Sequence, residues 1–305
     1  MVETLNEILA AGREKTALGK VATYIPELGK ADPGQLGISV FTRYGERVSV
    51  GDAGVRFTIQ SISKIISLTA ALERFGAARV FTNVGMEPSG DAFNSLLKLE
   101  NTDSTPHNPM VNAGAIVIAN YLAHEVDFEE MMRFARELCL DPDITLDEEV
   151  YRSEMSNISR NRAIAYLLES KGLIDADVET TLDFYVKMCS LSVTAESLAG
   201  LALVLANDGI RPENGKRLVQ AQTVRTVKTI MLTCGMYDGS GKFAVQVGIP
   251  SKSGVGGGIL SVVDKKMGIG IFGPALDAKG NSIAGGYVLE QLSQKWHLHM
   301  FDNSR

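Results

Sequence analysis

The sequence predicts an α+β fold, an antiparallel sheet flanked by N- and C-terminal helices with a large all-helical lobe inserted. Three observations predict it. Two strand-like runs lie early in the chain, three glycine-punctuated β-rich runs lie late, and the apolar periodicity between them is helical. The order is not a βαβαβ alternation, which argues against a doubly wound parallel sheet. Both chain ends are therefore expected in one α/β layer. The chain reads as a single domain over residues 1–305, with one lobe at about 1–60 plus 240–305 and a helical lobe at about 61–239.

Residues 3–15 read as an amphipathic helix with Leu5, Ile8 and Leu9 on one side. Residues 36–42 and 46–50 read as two strands, with Gly45 suited to the tight hairpin between them. Phe57-Thr58-Ile59-Gln60 then leads into a helix over SISKIISLTAALERFG. Ile62, Ile65, Ile66 and Leu72 form its stripe, Leu68 widens it, Thr69 is its one polar member, and Gly76 can end it. Helices are expected near 111–124, 128–139, 160–171, 175–189, 194–207 and 217–233. Strands are expected at 243–249, 258–264 and 267–272, and a last helix at 284–296.

Composition narrows the function classes. A chain of 305 residues, 45% hydrophobic and 22% charged, can bury a large core without disulfides or a structural metal. Three scattered cysteines, Cys139, Cys189 and Cys234, form no CxxC pair and suit a reducing cytoplasm. The N-terminal residues have neither the basic region nor the apolar core of a secretory signal, and no apolar run is long enough to span a bilayer. The net charge of −6 and the dispersed basic residues argue against nucleic acid or an anionic membrane as partner. His107, His124, His297 and His299 form no metal-ligand pattern, and 297–299 reads as a surface segment near the C-terminus. The glycine run 254–258 lacks the spacing and following helix of a dinucleotide fingerprint, so no cofactor is expected.

The chemistry-bearing residues begin with Ser61-Ile62-Ser63-Lys64, an S-x-x-K motif. Residues i and i+3 share a helix face, so Lys64 can reach Ser61, help remove its proton and stabilise the charge that follows. A serine at a helix start also gains from the dipole and the free N–H groups. The motif alone is weak, because Ser95-Leu96-Leu97-Lys98 repeats it and reads as ordinary helix surface. Ser61 differs in lying where a strand-rich region passes into an apolar helix. Lys252-Ser253-Gly254 matches the K-[ST]-G motif that accompanies S-x-x-K in β-lactamases and penicillin-binding proteins. On its own it reads as a strand end with a solvated lysine. With Ser61 it offers the N–H of Val255, beside that of Ser61, as an oxyanion hole. The middle motif of those enzymes is missing; Ser159-Arg160-Asn161 fits only a loose S-x-N pattern, which argues against β-lactam chemistry.

Further ordered segments narrow the match. They are GKVATYIPEL at 19–28, QSISK at 60–64, VGMEPSG at 84–90, NPMVNAGA at 108–115, RNRA at 160–163 and MYDGSG at 236–241. Together they resemble the signatures of the glutaminases, a serine-dependent family of the β-lactamase-like superfamily, from about residue 19 to the end of the chain. The resemblance implies a β-lactamase-like fold and hydrolysis of L-glutamine to L-glutamate and ammonia through a glutamyl-Ser61 ester. It implies Ser61 as nucleophile with Lys64 beside it, and Tyr237 and Tyr24 as tyrosines lining the site. Tyr237 is favoured as proton shuttle because a polar, glycine-rich loop gives it less reason to pack. Asn112, Glu154, Asn161 and Tyr185 match substrate-binding positions, with Glu154 facing the α-ammonium and the asparagines donating to the α-carboxylate. Without the resemblance, Glu154 reads as a solvated loop acid, Asn112 as a helix cap and Tyr185 as a helix-face aromatic. A homo-dimer or homo-tetramer is expected by resemblance alone. Two other readings share the motifs: a β-lactamase or peptidoglycan peptidase, and a non-catalytic glutamine sensor that kept the pocket.

Overall fold

The structure, a computed structural model, describes residues 1–89, 105–175 and 177–302. Helix α1 (Val2–Arg13) buries Leu5, Ile8 and Leu9. Strands β1 (Gly37–Thr42) and β2 (Arg47–Gly51) form the hairpin, turning at Gly45 with φ +92°. A two-residue strand, β3 (Phe57–Thr58), and a 3₁₀ turn over Gln60–Ile62 lead into α2 (Ser63–Val80). The helical block follows with α3 (Asn112–Ala123), α4 (Phe128–Cys139), β4 (Thr145–Leu146), α5 (Glu148–Ser156) and α6 (Ser159–Ser170). It continues through α7 (Val178–Cys189), β5 (Leu191–Val193), α8 (Ala195–Ala206) and α9 (Ala221–Cys234). The chain closes with α10 (Ser240–Gln246), β6 (Ser251–Ser253), β7 (Gly258–Val263), β8 (Met267–Phe272) and α11 (Ile283–Trp296). The second S-x-x-K, Ser95 to Lys98, lies outside the described residues.

The main sheet is antiparallel with strand order β2-β1-β8-β7-β6. Pairing of β1 with β8, Ile38 opposite Ile271, joins the two ends of the chain in one sheet. One face is covered by α1 and α11 through Leu5, Ile8, Val288, Leu289 and Leu292. The other face receives α8, and beyond it a larger apolar cluster built from α2, α3, α4, α6, α7 and α9.

Glycines let α8 approach the sheet at backbone distance. A Cβ on Gly270 would lie 1.9 Å from the carbonyl oxygen of Ala195, and one on Gly268 would lie 2.2 Å from that of Ala199. Both clashes are with backbone, which cannot swing aside. Gly270→Ala is expected to destabilise the fold by about 3 kcal/mol through forced separation of α8 and β8. A urea titration should show a lower midpoint with an unchanged slope, and an unshifted midpoint would contradict it.

Four expectations are corrected. Residues 243–249 are not a strand; α10 occupies Ser240–Gln246. In a strand, Phe243, Val245 and Val247 would share a face. Here Phe243 and Val247 pack on the sheet-side core, while Val245 is 79% exposed. The late strand is instead β6, which carries Lys252 and Ser253 themselves. Gly76 does not end α2 but kinks it at φ +74°, and the helix resumes to bury Val80. Glu154 lies in a helix, α5, started by the Asp147 side chain accepting from the Val150 N–H. Within residues 297–299, His297 is exposed as expected, but Leu298 is buried on the sheet-side core, so the segment is surface only in part.

Candidate active site

Ser61 sits in the 3₁₀ turn ahead of α2, and Lys64 in the first turn of that helix. The turn is entered through Gln60, a non-glycine residue at φ +49°. Left-handed backbone of this kind costs on the order of 1–3 kcal/mol and marks a place where surroundings dictate the conformation. The glycine turn after β6 packs on the same stretch. A Cβ on Gly256 would lie 2.4 Å from the Thr58 carbonyl oxygen, and one on Gly254 would lie 2.8 Å from that of Ile59. These close approaches bring Val255 beside the Ser61 turn.

Tyr237 is the second residue of this region held in left-handed backbone, at φ +53°. Ser240 shapes its turn: the hydroxyl donates to the Tyr237 carbonyl and accepts from the Met236 N–H. The Tyr237 phenol is held well above its usual range by burial, and the nearby Ser61 hydroxyl and Val255 backbone act against that rise. The phenol, the Ser61 hydroxyl and one candidate oxyanion donor are thereby gathered at one point.

Lys64 is buried, and its Nζ donates to Asn112 Oδ1 at 2.8 Å and to the Met110 carbonyl at 3.0 Å. Burial pushes the ammonium down to about 8. Asn112 Nδ2 donates to Asn161 Oδ1 at 3.0 Å, and the Tyr185 hydroxyl lies 3.5 Å from Asn112 Oδ1. Because the lysine donates to Asn112 Oδ1, the polarity of the whole chain is set, and it ends with the Asn161 amide nitrogen as a donor. Asn112 begins α3 without capping it; its side chain turns to the site instead. Tyr185 is buried on α7, with its phenol raised well above the usual range by burial.

The third group is Tyr24, Gln60 and Glu154. The Tyr24 hydroxyl lies 2.7 Å from Glu154 Oε1 and 3.0 Å from Gln60 Oε1. Gln60 Nε2 lies 3.2 Å from Thr58 Oγ1 and so ties this group to the Ser61 turn. Burial raises the Glu154 carboxyl, opposed by hydrogen bonds from Tyr24 and Gln60. Tyr24 is about half exposed, but its hydroxyl end is enclosed, and burial followed by the Glu154 charge raises its phenol. Cavity size does not lead to these groups: a groove of about 450 Å³ lined by Glu73, Arg74, Met131 and Phe134 contains none of them.

These side chains come from seven places in the chain, and the same chain matches the family model described as Glutaminase over residues 19–301. The chain belongs to the glutaminase family. Glutaminase 2 of Clostridium perfringens is 49% identical over 305 residues, 99% of this chain and 100% of that one. A glutaminase of Clostridium botulinum is 50% identical over the same shares. Among solved structures, the covalent complex between the Bacillus subtilis glutaminase and 5-oxo-L-norleucine, formed by reaction with 6-diazo-5-oxo-L-norleucine, has a TM-score of 0.90. It is 39% identical, covering 98% of this chain and 99% of that one. The fold is the β-lactamase-like fold of these glutaminases, as expected.

Ser61, Tyr237 and Val255 thus form one group and Lys64, Asn112, Asn161 and Tyr185 another, adjoining through the turn that runs from Ser61 into α2, with Tyr24 and Glu154 joined through Gln60. Two members were missed from the sequence. Gln60 had its only sequence signal in opening the QSISK segment, and its role at the site comes from its left-handed backbone. Lys252 had a signal in the Lys-Ser-Gly motif, but it is not the solvated lysine expected there: it is 0% exposed. Its ammonium is depressed far below the usual range, first by burial and then by the charge of Lys64. No helix of the described residues is long and apolar enough to cross a membrane.

Proposed function

We propose that this chain hydrolyses L-glutamine to L-glutamate and ammonia through a glutamyl-Ser61 ester. The observation that carries this is the continuous polar chain Lys64–Asn112–Asn161, which links the lysine of the S-x-x-K motif to groups suited to a free amino acid. In this reading Ser61 Oγ attacks the side-chain amide carbon while neutral Lys64 takes its proton. The oxyanion settles against the N–H groups of Ser61 and Val255. The C–N bond breaks, the Tyr237 hydroxyl protonates the departing nitrogen, and Lys64 returns its proton to Tyr237. Water then attacks the ester, releasing glutamate and restoring the Ser61 hydroxyl. Glu154 receives the α-ammonium, displacing the Tyr24 hydroxyl that occupies it. Asn161 donates to the α-carboxylate, with Asn112 and Tyr185 holding it in place. Tyr24 serves the substrate end of the site, and Tyr237 the reacting end. The cysteines Cys139, Cys189 and Cys234, all free and buried, fit a reducing cytoplasm. A homo-dimer or tetramer belongs to the same reading.

The test is ammonia release from L-glutamine, L-asparagine and D-glutamine, with turnover expected for L-glutamine. Binding of L-glutamine without ammonia release would favour a sensor instead. Glu154→Gln keeps the shape but removes the charge that meets the ammonium. It is expected to raise KM for L-glutamine about 30-fold, the cost of one desolvated charge pair, with kcat changed far less. An unchanged KM would remove Glu154 from the substrate site.

A further inference from the structure

Lys252 lies on β6, opposite Leu260 of β7, on the side of the sheet that faces the helical block. Its Nζ donates to the carbonyl of the adjacent Ser253 and rests 4.5 Å from the centroid of the Tyr237 ring. Gly280, at φ +89°, also borders the ring: a Cβ there would lie 3.6 Å from Tyr237 Cε2. The groups that bear on Lys252 are Lys64 from α2, Cys189 from α7 and Cys234 from α9. None is a carboxylate. A buried lysine with no acid partner among the described residues is a poor way to fill space, because a methionine of similar volume packs without the desolvation cost. What methionine cannot do is present polarised N–H groups to the face of an aromatic ring.

We propose that Lys252 is a positioning residue for Tyr237. Clamped by the Ser253 carbonyl, its Nζ holds the ring so that the phenol stays aimed at Ser61, and it steadies the phenolate that exists between the two proton transfers. Lys252 takes up no proton in the cycle and does not touch the substrate. The proposal rests on the reading of Tyr237 as the group that protonates the leaving nitrogen.

The test is a double-mutant cycle of Lys252→Met and Tyr237→Phe in the full chain, read by kcat, KM and thermal midpoint. Lys252→Met is expected to fold with a midpoint at or above the wild type. Its kcat should fall about 100-fold, the scale of a misdirected general acid, with KM for L-glutamine within about threefold. In the Tyr237→Phe background the same substitution should cost less than about threefold, because nothing is left to position. A purely structural lysine would lower kcat by similar factors in both backgrounds, and that result overturns the proposal. So does wild-type kcat in Lys252→Met when Tyr237→Phe is crippled. Wild-type kcat in Tyr237→Phe would instead remove the proton-donor reading beneath it. Lys252→Gln, which keeps a polar end able to reach the Ser253 carbonyl, runs through the same cycle should the methionine variant not fold.

Discussion

Ser61→Ala is expected to abolish ammonia release from L-glutamine, lowering kcat by at least about 10⁴-fold, as loss of a covalent nucleophile does. The variant should fold. Ser61 is nearly fully buried in a short turn, and alanine leaves only the Tyr237 phenol short of one neutral partner, about 1 kcal/mol. Wild-type protein treated with 6-diazo-5-oxo-L-norleucine should gain the mass of one adduct, mapping by peptide mass spectrometry to Ser61, and the variant should gain none. Substantial activity in the purified variant would move the nucleophile elsewhere. The other hydroxyl in the motif does not invite that. Ser63 is buried with its Oγ 3.7 Å from Cys189 Sγ, turned into the α2–α7 contact.

The difference between Ser61 and Ser63 was partly legible in the sequence. Ile62, Ile65, Ile66, Leu68 and Leu72 are all buried as their stripe predicts, but so are Ser63, Lys64, Ser67 and Thr69, because the fold surrounds the first turns of α2. The motif spacing then places Ser61 and Lys64 together. The sheet was legible for a similar reason: β1, β7 and β8 are buried along nearly their whole length and read as continuous apolar and glycine runs. What failed was local ambiguity. FAVQVGI alternates well enough for a strand, and only the turn closed by Ser240 decides for α10. The short strands β3, β5 and β4 pair across distant parts of the chain, which no local pattern reveals. Lys252 shows the same limit in the site. A lysine in a glycine-rich segment is solvated unless the fold buries it, and here the pairing of β6 with β7 and the approach of Tyr237 do so. For Glu154 the spacing carried nothing and for Asn161 only a loose S-x-N pattern; they are brought to the site by α5 and α6, and the resemblance assigned their roles.

Lys64→Met should separate what the site does from what it costs. Activity is expected to fall by at least about 10³-fold, because Ser61 loses the group that takes its proton. In the wild type, kcat/KM should rise with pH through about 8, where folded Lys64 gives up its proton and becomes able to accept one. Stability moves on the same titration. The unfolded chain holds that proton up to the ordinary lysine value of 10.5, whereas the folded chain releases it at about 8. Between these values the unfolded state binds more protons, so wild-type stability rises with pH across the window and is insensitive to Lys64 on either side. Methionine does not titrate. The stability of the variant relative to the wild type should therefore fall by about 3 kcal/mol between pH 8 and 10.5, whatever the lost bonds to Met110 and Asn112 cost. Urea titrations at pH 7, 9 and 10.5 read this difference directly. Parallel curves for the two proteins would mean that Lys64 keeps an ordinary affinity for its proton. A buried ammonium poised near neutrality would then be the wrong description of the base.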